Sequence, residues 1–109
     1  MEQRLPAHFE ISGLIRAVEA AGGFATVLNK GERDAGTIMI VLTEKGENTR
    51  VYERMPQLDG TRIWQCSKKQ DAENPYELTS YLTRRSNQDP DLWVVELDVA
   101  DGERFIGLS

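Results

Sequence analysis

Residues 37–43, TIMIVLT, and 92–98, LWVVELD, constrain this chain more than any other feature. Successive side chains on a strand point to opposite faces, so a half-buried strand alternates apolar and polar residues. The first run does not alternate, and it is rich in β-branched residues. It reads as a strand covered on both faces or placed centrally in a sheet. LWVVELD is likewise apolar on both faces and reads as central. The rest of the fold must be arranged to bury these two strands.

The segments around them supply the partners. In residues 6–22, PAHFEISGLIRAVEAAG, the apolar positions Ile11, Leu14, Ile15 and Val18 follow the i, i+3, i+4, i+7 spacing of a helix with one buried stripe. Pro6 suits its first turn, and Gly22-Gly23 supplies a left-handed stop. Gly13 weakens the first half, so residues 9–12 could instead form an extended entry. FATVLN (24–29), TRVYERM (49–55) and TRIWQC (61–66) read as strands. KKQDAE (68–73) is a polar link. Asn74-Pro75-Tyr76-Glu77 reads as a helix start, with Asn74 as the cap and Pro75 at the first position. Leu78, Tyr81, Leu82 and Arg85 then share one face, and Asp89-Pro90 ends the helix. After the last long strand, ADG turns toward a short RFI edge strand.

The expected order is α-β-β-β-β-α-β. Two helices packed on one face of a mostly antiparallel sheet make an α+β, two-layer sandwich, with residues 1–109 as a single domain. Asp59-Gly60, taken as a two-residue turn with positive φ at both positions, sets the register of the third and fourth strands. It puts Met55 opposite Trp64 and Glu53 opposite Cys66. Val51, Met55, Trp64 and Cys66 then share one face, and Arg50, Tyr52, Arg54 and Ile63 the other.

Bulk chemistry removes several classes of function. With 109 residues the chain holds one core, and its net charge of −5 argues against broad binding to nucleic acid. The single Cys66 excludes an internal disulfide and any multi-cysteine metal site, and it reads as a packed or half-packed thiol, with a reactive one as the alternative. His8, the only histidine, cannot build a metal site alone. No apolar run is long enough to cross a bilayer, and the N-terminus lacks the charged and apolar regions of a secretory leader. These features point to a cytoplasmic protein, with no cofactor expected.

Three groups of residues are candidates for a site. NKGERDAG (29–36) has Gly31 and Gly36 at the spacing of a phosphate-binding loop, but Thr37 stands where the lysine belongs and a strand follows where a helix is needed. It reads as a mobile hairpin tip whose Lys30 and Arg33 could contact a partner. Arg50, Tyr52 and Arg54 resemble the cationic, aromatic surface of single-strand binders, although arginine stems lying on apolar surface give the same pattern. Trp64 and Trp93 could line a ligand pocket, yet core packing explains them as well. The carboxylates fall mainly in turns, and no nucleophile–base set appears.

Taken together, GLIRAVEAAGGFATVLNKGERDAGTIMIVL (13–42), the Asp59, Gly60, Arg62 and Trp64 pattern, and DPDLWVVELDVADGERF (89–105) resemble an alphaproteobacterial family, domain-of-unknown-function family 1491. The resemblance covers nearly the whole chain. It implies a small bacterial, cytoplasmic domain, and it carries no activity, cofactor or partner to any residue. The resulting expectation is a non-enzymatic domain that binds another protein or forms a homodimer, using Lys30, Arg33, Arg50, Tyr52, Arg54 and Trp64. A single-stranded nucleic-acid accessory role for the Arg-Tyr-Arg face is the alternative, and a small ligand-binding protein or enzyme is the third.

Overall fold

The computed structural model describes residues 5–108. In chain order these form α1 (Ala7–Ala20), β1 (Phe24–Asn29), β2 (Ile38–Glu44), β3 (Glu47–Pro56), β4 (Arg62–Lys69), α2 (Glu77–Gln88), β5 (Trp93–Asp98) and a 3-10 helix (Gly102–Ile106). The α+β class, the two helices and the order α-β-β-β-β-α-β are as the sequence predicts. One five-stranded sheet runs β1-β5-β2-β3-β4. All neighbours are antiparallel except β2 and β5, which are parallel.

The two helices lie on opposite faces of this sheet, which corrects the expected two-layer arrangement. Ala7, Ile11 and Val18 of α1 pack with Ile38, Ile40 and Leu42 of β2 and with Trp93, Val95 and Leu97 of β5. On the other face Leu78, Tyr81 and Leu82 of α2 pack against Met39 and Val41 of β2, Val51 of β3, and Leu92 and Val94. The alternating residues of β2 and β5 therefore feed two cores. A single helical layer would have left one set of these apolar side chains in water, at roughly 1.5–3 kcal/mol for each large side chain.

Helix α1 runs unbroken from Ala7, so Gly13 interrupts nothing. Its first amides have no side-chain cap. Ala7 N–H donates to Asp34 O and His8 N–H to Arg33 O, both at 3.0 Å, so the β1–β2 connection caps the helix. At the other end Gly22 takes φ +86, with Gly22 N–H on Glu19 O and Gly23 N–H on Val18 O. This paired closure lets the chain reverse into β1. Helix α2 begins at Glu77, later than the Asn74 start. Asn74 and Pro75 instead form the preceding turn, with Glu77 N–H donating to Asn74 O at 3.2 Å.

Between β3 and β4 the register is Tyr52 with Cys66, Arg54 with Trp64 and Met55 with Ile63, one residue from the expected pairing. Gly60 has positive φ, at +89°, but Asp59 does not. The loop consequently spans Leu58-Asp59-Gly60, closed by Gly60 N–H on Gln57 O and Gln57 N–H on Thr61 O. The one-residue shift moves Trp64 and Cys66 onto the face that carries Arg50, Tyr52 and Arg54.

The expected RFI edge strand is a 3-10 helix. β5 lies inside the sheet, so the chain leaving it has neighbours on both sides and no edge within reach. Asp101, in the left-handed region at φ +52, turns it back across the α1 face.

Candidate functional site

The helical layers are fixed to the sheet by carboxylate–guanidinium pairs, and these involve most of the residues that the sequence singles out. Arg50, on β3 and 7% exposed, meets Glu103 of the 3-10 helix through two bonds, Nε to Oε2 at 2.8 Å and Nη2 to Oε1 at 2.6 Å. Its Nη1 reaches Glu44 Oε2 at 3.2 Å. Tyr52 Oη donates to Glu103 at 3.0 Å. The Arg50 bonds hold the Glu103 carboxyl at about 2, well below its ordinary value, against the opposing effect of partial burial. The same bonds raise Arg50, while burial, followed by the bond to Glu103, raises the Tyr52 phenol.

One step along the strand, Arg54 clamps Glu10 of α1 with bonds of 2.6 and 2.9 Å. Its guanidinium lies 4.7 Å from the centroid of the half-buried Trp64. On the opposite face Glu53 accepts from Arg85 Nη2 of α2 at 2.7 Å and from Tyr81 Oη. Burial opposes ionisation of Glu53, but the bonds from Ser67, Tyr81 and Arg85 outweigh it, and the carboxyl lies below its ordinary value. The structure thus brings Arg50, Tyr52, Arg54 and Trp64 together, with the charged heads of both arginines turned onto the protein's own acids.

Lys30 and Arg33 are exposed and stand apart from that group, in the β1–β2 connection. This connection is not a hairpin tip, because β5 lies between β1 and β2. It crosses the start of β5 and is tied there: Glu32 N–H donates to Asp91 O at 3.0 Å, and Trp93 Nε1 donates to Glu32 O at 2.6 Å. The amides of Asp34 and Ala35, which could have faced a phosphate, donate to the Glu32 carboxylate. A side-chain anion already occupies the loop.

Trp93 is a core residue, buried between α1 and the sheet. Cys66, expected to be packed or half-packed, is exposed because β4 is an edge strand. Among the described residues no group of three or more His, Cys, Asp or Glu side chains could hold a metal ion. No helix among them is long and apolar enough to cross a membrane.

The feature that sequence reasoning passed over is the edge at β1. FATVLN carries no charged residue, and Phe24, Val27 and Leu28 are 72%, 41% and 48% exposed. Leu28 borders a groove against α2, lined by Leu82, Thr79, Ser86 and Val94. The other edge, β4, carries Arg62, Lys68 and Lys69, the kind of charge that discourages strand pairing. The legible signal was a β-strand with no charge at all in a chain whose residues are 28% charged.

These features define a three-layered α+β domain of one mixed sheet, locked by ion pairs and, among the described residues, open along one apolar edge. The chain belongs to the DUF1491 family of proteins of unknown function, whose family model matches residues 5–107. A crystal structure of a DUF1491 family protein from Caulobacter crescentus is 30% identical, with a TM-score of 0.82 over 96% of this chain and 97% of that one. An NMR structure of a DUF1491 family protein from the same organism is 31% identical, with a TM-score of 0.81 over 98% and 96%. A solution structure of a protein from A. tumefaciens is 30% identical, with a TM-score of 0.77 over 97% and 95%. No curated protein matches the chain.

Proposed function

We propose that this protein works by binding another polypeptide along the free edge of β1, not by catalysis. The observation that carries the reading is the contrast between the two sheet edges. β1 is uncharged, with three exposed apolar side chains beside a groove that Leu28, Leu82 and Val94 help to line, whereas β4 carries Arg62, Lys68 and Lys69, of which Lys68 pairs with Glu77 of α2. An unpaired edge offers a row of backbone donors and acceptors, and side-chain pockets beside it give selectivity. The single exposed and unpaired Cys66 suits a reducing, cytoplasmic setting.

The single-stranded nucleic-acid reading has less support, since Arg50 and Arg54 would have to leave Glu103 and Glu10 to reach a phosphate. Small-ligand and enzymatic readings have less support, since among the described residues no group of three or more His, Cys, Asp or Glu could hold a metal ion and no residue set for catalysis is legible in the sequence.

Affinity capture from native lysate tests the edge directly. Val27→Lys places a charge on β1, and Ile63→Lys places one on the other edge strand at a residue of similar exposure. Proteins retained by the wild type and by Ile63→Lys are expected to be lost from Val27→Lys. Equal retention by all three baits contradicts the reading.

A further inference from the structure

We infer that the chain binding at β1 is a second copy of this protein, paired antiparallel through β1 about a two-fold axis at Thr26, so that Phe24 of each copy enters the Leu28–Leu82 groove of the other. The inference rests on the edge reading above and adds the partner and the register.

The faces of β1 fix that register. Ala25 packs with the α1-side core, and Ala25 and Val27 pair with Leu97 and Val95, which belong to the same core. Phe24 and Thr26 pair with Asp98 and Glu96 and so point to the α2 side. Leu28 sits at a bulge with no partner on β5 and turns toward Leu82 and Thr79 of α2. Along one strand, then, a protruding aromatic and an apolar groove lie on the same face, four residues or roughly 13 Å apart.

A two-fold axis midway between them superposes projection on groove in both directions. With Thr26 opposite Thr26 of the second copy, Phe24 stands opposite Leu28 and Ala25 opposite Val27. Every pair then joins residues of like face, and aromatic–aliphatic and Thr–Thr neighbours are favourable cross-strand pairs. Centring the axis one half-residue further on would set Ala25, on the α1 side, against Leu28, on the α2 side.

Charge also favours self-association here. Two copies each of net charge −5 repel over most of their surfaces, but β1 brings no charged residue to the seam. The contact is isologous and closes at two subunits, joining two five-stranded sheets into one of ten strands. Because the remaining interaction between copies is repulsive, added salt strengthens the dimer, the opposite of an ion-paired interface.

Sedimentation velocity across a concentration series is the test, with the fold of each variant checked by thermal melting. The wild type is expected to double its mass at high micromolar concentration, and to do so at lower concentration as salt is added. Phe24→Asp, at a largely exposed position, is expected to stay monomeric, with a melt unchanged from wild type in dilute protein where both are monomers. Under mild oxidation Thr26→Cys in a Cys66→Ser background is expected to form a covalent dimer, because the paired Cα atoms fall within disulfide reach. The wild type, whose thiol lies on the far edge strand, is not. A monomer at every concentration overturns the inference. So does a dimer indifferent to Phe24→Asp, or a Thr26→Cys variant that fails to cross-link. If the wild type is monomeric while Val27→Lys still loses captured proteins, the second copy is refuted and the edge reading survives. Loss of both effects refutes both.

Discussion

Replacing Glu103 with alanine is expected to cost the fold about 2–4 kcal/mol, because it strands a nearly buried guanidinium. Arg50 would lose both bonds of its bidentate partner and keep only Glu44 and the Asn48 carbonyl. Tyr52 would lose its acceptor in the same step. Urea denaturation of wild type and variant at neutral pH measures the difference. A change within about 0.5 kcal/mol, the range of an ordinary surface substitution, would contradict the role assigned to this pair. The pair also gives the fold a defined acid sensitivity. The folded Glu103 carboxyl sits at about 2, below its ordinary value of 4.5, so its contribution is fully present above 4.5 and is lost as pH falls from there toward 2. Glu53, also lowered in the folded state, acts with the same sign. Glu103→Gln is therefore expected to start less stable at neutral pH and to lose less on acidification, with a residual slope from Glu53.

Gly31→Ala is expected to be of similar severity, about 2–4 kcal/mol, through a steric route. A Cβ at Gly31 would lie 2.1 Å from Asp91 O and 2.6 Å from the carbonyl carbon of Leu92, and neither backbone group is free to swing aside. The connection would have to lift from the start of β5, straining the Glu32–Asp91 and Trp93–Glu32 bonds and, through Arg33 and Asp34, the cap of α1. Gly13 is the control. It lies within α1 with nothing near an added Cβ, so Gly13→Ala is expected to gain about 0.5–1 kcal/mol from helix propensity. Thermal melts of the two variants should move in opposite directions. A Gly31→Ala protein as stable as wild type would show that the connection does not rest on β5.

The central strands were legible because unbroken apolar runs have few uses in a chain of this size. The same two runs contained the reason for helices on both faces, yet a count of two helices and a mostly antiparallel sheet points as readily to one layer. What decided it was the position of β5, the last strand in sequence, between β1 and β2. Long-range pairing of that kind leaves no local trace. Asp59-Gly60 marked a turn correctly but not its length, since only Gly60 adopts positive φ. That one-residue error separated Trp64 from Arg54, which in fact lie against each other.

The candidate residues were grouped correctly in part. Arg50, Tyr52 and Arg54 share a face because they alternate on β3, which any register preserves. Their partners, Glu103 and Glu10, lie 53 and 44 residues away and carry no local mark as ligands of an arginine. Lys30 and Arg33 were recognised as exposed. The loop that holds them proved tied down, because its neighbours are the start of α1 and the start of β5. β1 carries no such mark for the converse reason: among the described residues no strand pairs with its outer side.

The claim that β1 is where this protein meets a second copy of itself is tested most directly by amide hydrogen exchange, followed residue by residue as protein concentration is raised. Amides of Phe24–Asn29 that face away from β5 are expected to exchange rapidly in dilute protein and to gain protection as concentration rises. The outward amides of Arg62–Lys69 are expected to stay unprotected throughout. Exchange along β1 that is the same at every concentration, or protection that appears along β4 instead, would contradict the account.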